Sequence, residues 1–170
     1  MKGLLLIALL LTCALSYSQG VFTVEGKKFG SNDRGFNYGF TISGSGILHE
    51  PGHHKTKGVT LGLGAGIHTF KDGDSPYFPV FAELGYIDKS KKVFPYINAR
   101  GGYGFNDSET LKGGFYSEFR AGASFKVGVC RMSPFLGVTI TQFRVKVRGE
   151  TLSSNSEAIF AFGIAFVFAR

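Results

Sequence analysis

From Phe36 to Phe168 the chain repeats one rule: apolar side chains fall on every second position, segment after segment. In Val80, Ala82, Leu84 and Tyr86 the apolar residues share one parity, and Glu83 takes the other. Ile97, Ala99, Gly101, Tyr103 and Phe105 likewise alternate with Tyr96, Asn98, Arg100, Gly102 and Gly104. Successive side chains of a strand point to opposite faces, so period two means strands with one greasy and one mixed face. The pattern predicts seven strands, near 36–48, 57–70, 77–87, 93–105, 114–129, 134–147 and 157–168, with a weaker eighth at 21–29. The 25 Gly, 18 Phe and 7 Tyr among 170 residues, with no Trp, also fit an all-β protein.

The two faces decide between architectures. One carries Phe40, Leu61, Leu63, Leu84, Ile97, Phe119, Leu136, Phe160 and Phe162. The other carries Thr41, Ser43, Gly62, Gly64, Gly66, His68, Asn98, Thr139 and Thr141, with Glu83, Arg100, Glu118 and Arg120. A soluble sandwich would put Lys, Glu and Gln on its wet face, whereas this face is mostly Gly, Ser and Thr. A narrow closed lumen wants small residues that leave room for a few long charged ones, and an eight-stranded barrel is just wide enough to be filled by side chains. Glu83, Arg100, Glu118 and Arg120 share one parity on three consecutive strands, which predicts an internal salt-bridge network. Unpaired, each would cost several kcal/mol to bury. The greasy face then meets lipid, where only a closed sheet satisfies every backbone N–H and C=O. Aromatics near the strand ends (Phe36, Tyr38, Tyr77, Phe78, Tyr86, Phe94, Tyr103, Phe105, Tyr116) are expected in two interfacial girdles.

The links also alternate. Residues 106–113 and 148–156 are long, whereas 88–92 and 130–133 are short, the habit of outer-membrane barrels; 49–56 breaks the alternation. The start, Met1-Lys2-Gly3 followed by LLLIALLLTCAL, reads as a secretory leader cut after Ser18, so residues 1–18 are the signal peptide and 19–170 the barrel. The run is short of the roughly 20 apolar residues a spanning helix needs. Cys13 goes with the leader, since Leu11-Thr12 makes a poor lipobox; Cys130 remains as a small apolar residue. The net charge is +7, or +6 once Lys2 leaves, and the basic residues are scattered, which excludes a nucleic-acid surface.

Two runs, PYFPVFAELGYIDKSKKVFPYINARGGYGF and KGGFYSEFRAGASFKV, resemble the small outer-membrane β-barrel proteins common in Bacteroidota. The size and rhythm are similar to those of outer-membrane protein X and the barrel of outer-membrane protein A. The closing IFAFGIAFVFAR resembles the signal read by the barrel-assembly machinery, although Ala169-Arg170 follow the aromatic Phe168. The resemblance implies an eight-stranded antiparallel up-and-down transmembrane β-barrel and carries no activity with it.

The remaining chemistry reads blandly. His49, Glu50, His53 and His54 offer metal donors, but in a Pro/Gly turn with no second ligand set nearby; no metal or cofactor is expected. His68 is followed by Thr69-Phe70, without the His-x-Ser-Asn a lipid-deacylating barrel would carry or any G-x-S-x-G, so it is a rim or lumen polar residue. Arg144, Lys146 and Arg148 alternate at the end of 134–147. They either reach lipopolysaccharide phosphates or belong to a soluble extension in which a bulge turns Phe143, Val145 and Val147 outward. The expectation is a non-catalytic monomer in the cell outer membrane, with a plugged polar lumen and a structural or surface-interaction role. Its partners are outer-membrane lipid, lipopolysaccharide and, during insertion, the assembly machinery. The alternatives are a soluble exported barrel holding a small apolar ligand and, further off, a lipid A-modifying barrel enzyme.

Overall fold

A computed structural model describes residues 20–30, 36–47, 57–70, 76–88, 91–106, 111–147 and 150–169. The expected leader, residues 1–18, lies outside this set, as do His49, Glu50, His53 and His54. Eight strands follow one another: β1 (Gly20–Phe29), β2 (Phe36–Ile47), β3 (Lys57–Phe70), β4 (Tyr77–Asp88) and β5 (Val93–Asn106). Then come β6, in two pieces (Leu111–Lys112 and Phe115–Val127) interrupted at Gly113-Gly114, β7 (Cys130–Val147) and β8 (Glu150–Ala169). Every strand pairs antiparallel with its sequence neighbours, and β8 pairs with β1 from Val21↔Ala169 to Phe29↔Ala161. The sheet is therefore a closed up-and-down barrel, and the described residues contain no helix. Both ends of the described chain lie at one end of it.

VFTVEGKKF, the faintest of the sequence signals, is a full member of the sheet. Two boundaries differ from expectation. The turn between β6 and β7 falls on Gly128-Val129, with Gly128 at φ 58°, a left-handed conformation that suits glycine; the expected link 130–133 is instead the start of β7. The expected loop 148–156 is mostly strand, because β7 and β8 stay paired up to Val147↔Glu150. The alternating run Phe143–Val147 holds in register the polar stretch Glu150–Asn155, which carries no apolar alternation of its own to signal a strand. The register slips between Val145 and Lys146, where Leu152 of β8 has no opposite residue.

The faces sort as the parity demands. Outside, Leu63, Ile97, Phe119, Leu136 and Phe160 are 61, 59, 60, 72 and 75% exposed. Inside, polar and charged groups are buried together with aromatic ones. Two apolar clusters fill the lumen at different heights. Phe29, Tyr77, Phe81, Tyr116, Ile159 and Ala161 form the one remote from the termini, and Val21, Phe94, Tyr96, Phe135, Ala165 and Val167 form the one beside them. Tyr77, Phe94 and Tyr116 are thus lumen core, correcting their assignment to the girdles: each has the inward parity of its strand. Tyr38, Phe78, Tyr86, Tyr103 and Phe105 do face outward, whereas the side chain of Phe36 lies outside the described set. Small residues make the room. A side chain at Gly64 would run into the Phe81 ring, and one at Gly39 into His68 and Phe29.

Candidate functional site: the lumen charge layer

Between the two apolar clusters lies a layer of six buried ions. Arg100 of β5 is its centre. Its Nε donates to Glu83 Oε2 at 3.1 Å, its Nη2 to Glu25 Oε2 at 3.1 Å and its Nη1 to Glu118 Oε2 at 3.2 Å. The same Nη1 lies 3.1 Å from Thr41 Oγ1. Lys27 Nζ donates to Glu118 Oε1 at 2.7 Å and stands 3.7 Å from Glu25 Oε1. Arg120 Nη1 donates to Glu25, its Nη2 donates to Asn98 Oδ1 at 2.6 Å, and its Nε is 4.0 Å from Glu118 Oε2. Tyr116 OH and Thr139 Oγ1 complete the shell of Glu118, at 2.9 and 3.3 Å.

Three carboxylates (Glu25, Glu83, Glu118) face three cations (Lys27, Arg100, Arg120), so the layer is formally neutral. Neutrality and dense hydrogen bonding are what make such burial tolerable, since each ion taken out of water costs several kcal/mol that only close, well-bonded counter-ions offset. The apolar clusters add cation–π contacts from both sides. Arg100 Cζ lies 4.3 Å from the Phe81 ring centre, and Arg120 Cζ lies 4.9 Å from Phe135 and 5.5 Å from Tyr96.

The strands bring Glu83, Arg100, Glu118 and Arg120, all of inward parity, into one connected set. Glu25 and Lys27 belong to it as well and were missed, because their strand was the faintest in the sequence. The alternation Thr23, Glu25, Lys27 was the available signal. His68 is fully buried in the cluster remote from the termini, its ring centre 4.9 Å from Phe29, 5.7 Å from Tyr116 and 6.0 Å from Tyr77. That is a lumen position, away from the lipid-facing rim an acyl-transfer site would use. The side chains of Arg144 and Lys146, and all of Arg148, lie outside the described residues.

Near the termini, Arg131 closes the lumen mouth. Its Nε donates to Ser124 Oγ at 3.1 Å, its Nη2 to the Lys91 and Lys92 carbonyls at 2.8 and 3.3 Å, and its Cζ lies 4.5 Å from the Phe94 ring centre. This ties the β4–β5 turn to the inside of the barrel. Between Arg131 and the charge layer is a polar cavity of about 20 Å³, lined in part by Thr60, Glu83, Asn98 and Ser124, about the size of one water. Among the described residues, no group of three or more His, Cys, Asp or Glu is placed to hold a metal ion. The arrangement can hold charge and fill space. Each carboxylate already has a cationic partner, and aromatic layers stand above and below.

The course of the chain is similar to that of solved barrels. With the N-terminal β-barrel domain of OprF from Pseudomonas aeruginosa it shares 12% identity over 88% of this chain and 97% of that one, at a TM-score of 0.49. With a major outer membrane protein from Thermus thermophilus the values are 13%, 89%, 99% and 0.44. With Yersinia pestis Ail in a phospholipid bilayer nanodisc they are 14%, 88%, 99% and 0.41. No protein-family model matches the chain, and no curated protein matches it. Similarity of this degree concerns the fold and assigns no role.

Proposed function

We propose that the chain is an outer-membrane barrel protein with a non-catalytic role, in envelope structure or in contacts made at the end remote from its termini. The observation that carries this reading is the inversion of the molecule: apart from Lys28 and Lys126 near strand ends, the large side chains described as exposed on the closed sheet are apolar, and six ions are inside. A soluble protein rarely exposes so large an apolar surface, whereas a bilayer requires it of a barrel wall. The filled lumen disfavours both an open pore and the soluble ligand-binding alternative, because the polar cavity near its mouth has room for a single water. The leader at 1–18, insertion by the barrel-assembly machinery, the monomeric state and kinship with the small-barrel family of the sequence resemblance belong to the same proposal.

Envelope fractionation with gels run before and after boiling tests it. The protein should stay with the outer membrane, need detergent for extraction and migrate faster unboiled, as a closed barrel does. A soluble fraction with heat-indifferent mobility would overturn the reading.

Orientation gives a second test. Cys130, the first residue of β7 after the Gly128-Val129 turn, lies at the termini end, with its Sγ 3.4 Å from the Val127 carbonyl oxygen. On intact cells a membrane-impermeant maleimide should miss Cys130 and label a Ser156→Cys, Cys130→Ser variant, Ser156 being exposed on the projecting part of β8. Permeabilised cells should give labelling of both. Labelling of Cys130 on intact cells would reverse the topology.

A further inference from the structure

The outer wall is not evenly convex. A broad open groove of about 900 Å³ runs over the outer wall from β2 across β1, β8 and β7 to β6, with Lys28, Tyr38, Phe162, Ile164, Leu136 and Ala121 among its walls. Its origin is local. Gly26 has outward parity, and nothing lies within 4 Å of where a side chain would begin there, so the bulky outward residues of β8 flank a gap. At one end stands Lys28, exposed and outward, its Nζ 5.7 Å from the Tyr38 ring centre. Lys28 is in register with Tyr38 on one side and Phe162 on the other, whereas Phe166 at the far end faces Val24.

Four residues of β1 separate those two levels, roughly 13 Å at about 3.3 Å per residue. That is close to one leaflet of a hydrocarbon core about 30 Å thick. A lysine on a lipid-facing wall is tolerated where its ammonium snorkels to the headgroup layer. Here that layer is the one remote from the termini, and the apolar groove runs from it toward the bilayer centre.

We infer that the groove seats one acyl chain of lipid A, with Lys28 on a lipid A phosphate. The inference rests on the outer-membrane reading above, in which the leaflet at this end is the external one. Charge complementarity selects the occupant. The groove offers a cation and no acid; among the described residues Glu25, Glu83, Asp88 and Glu118 are buried and Glu157 is half-buried, so the wall of a second copy presents Lys28 no fully exposed acid. A phosphate joined to an acyl chain satisfies both halves of the site.

Native mass spectrometry of the refolded full chain, titrated with purified lipid A or with phosphatidylglycerol, tests this. Lys28→Gln should weaken lipid A binding about five-fold, the share of one lysine at a membrane surface, and Lys28→Arg should retain it. Gly26→Leu, whose Cβ would meet nothing within 4 Å, should fill the gap and displace the lipid while leaving the heat-shifted band intact. Equal binding by wild type, Lys28→Gln and Gly26→Leu would overturn the site, and should Gly26→Leu fail to fold, Lys28→Gln alone decides. Phosphatidylglycerol bound as tightly as lipid A, with the same dependence on Lys28, would overturn lipid A as the occupant. A protein absent from the outer membrane would instead sink the reading beneath. One resident there that binds lipid A independently of Lys28 sinks this inference alone.

Discussion

Arg100→Ala is expected to destabilise the barrel by about 3–5 kcal/mol, the usual penalty for removing one partner of a buried ionic set. The variant leaves Glu25, Glu83 and Glu118 in the lumen with Lys27 and Arg120 as the remaining cations of the layer, and Glu83 loses the partner 3.1 Å away. The measurement is the urea concentration at which the fast-migrating unboiled band disappears. With a slope of about 1–3 kcal/mol per molar urea, the midpoint should fall by roughly 1 M or more. Combining Arg100→Met with Glu83→Gln should recover part of the loss, since that pair removes a charge of each sign while keeping the volume. A midpoint unmoved by Arg100→Ala would mean that water reaches the layer and screens it, contrary to its burial.

The second large effect separates adjacent glycines. Gly102→Val should abolish the closed barrel, and Gly101→Val should leave it near wild type. A side chain on Gly102 would start well inside contact distance of the Val80 carbonyl oxygen and close to the Phe81 backbone, which β4–β5 pairing holds in place. Core overpacking usually costs about 1–3 kcal/mol when side chains can give way, and backbone in a closed sheet cannot. Gly101 has outward parity, and nothing lies within 4 Å of a side chain placed there. Refolding into detergent, read by the unboiled gel shift and by protease resistance, compares the two. A folded Gly102→Val barrel, or an unfolded Gly101→Val one, would contradict the assigned faces of β5.

Much of this was legible in the chain. Period two fixes strand type and face, and parity alone put Glu83, Arg100, Glu118 and Arg120 on one side. The misses share a physical cause. On β1 the inward residues Val21, Thr23, Glu25, Lys27 and Phe29 are as mixed as the outward Phe22, Val24, Gly26 and Lys28, so neither face declared itself and two of the six ions were overlooked. Tyr77, Phe94 and Tyr116 were assigned by distance from strand ends, when their own parity pointed inward. The first part of β8, Glu150 to Ser156, leaves the apolar belt, where nothing forces alternation and the sequence resembles a loop. The groove at Gly26 depends on which residues meet across the β1–β8 pairing, and no local pattern records that.

That pairing also governs the order in which the molecule can be made. One of the first strand's two sheet partners, β8, comes last in the chain, so the sheet stays open until nearly every residue is available. Contacts of such sequence separation are slow to form. Glu25 and Lys27 reach Arg100, Arg120 and Glu118 across separations of 75, 95 and 91 residues. An intermediate whose β1 has not docked therefore holds two arginines and a glutamate short of their counter-ions in a forming interior. The ion layer ranks the finished cylinder above every half-zipped one, which makes closure of the seam the committing event of folding.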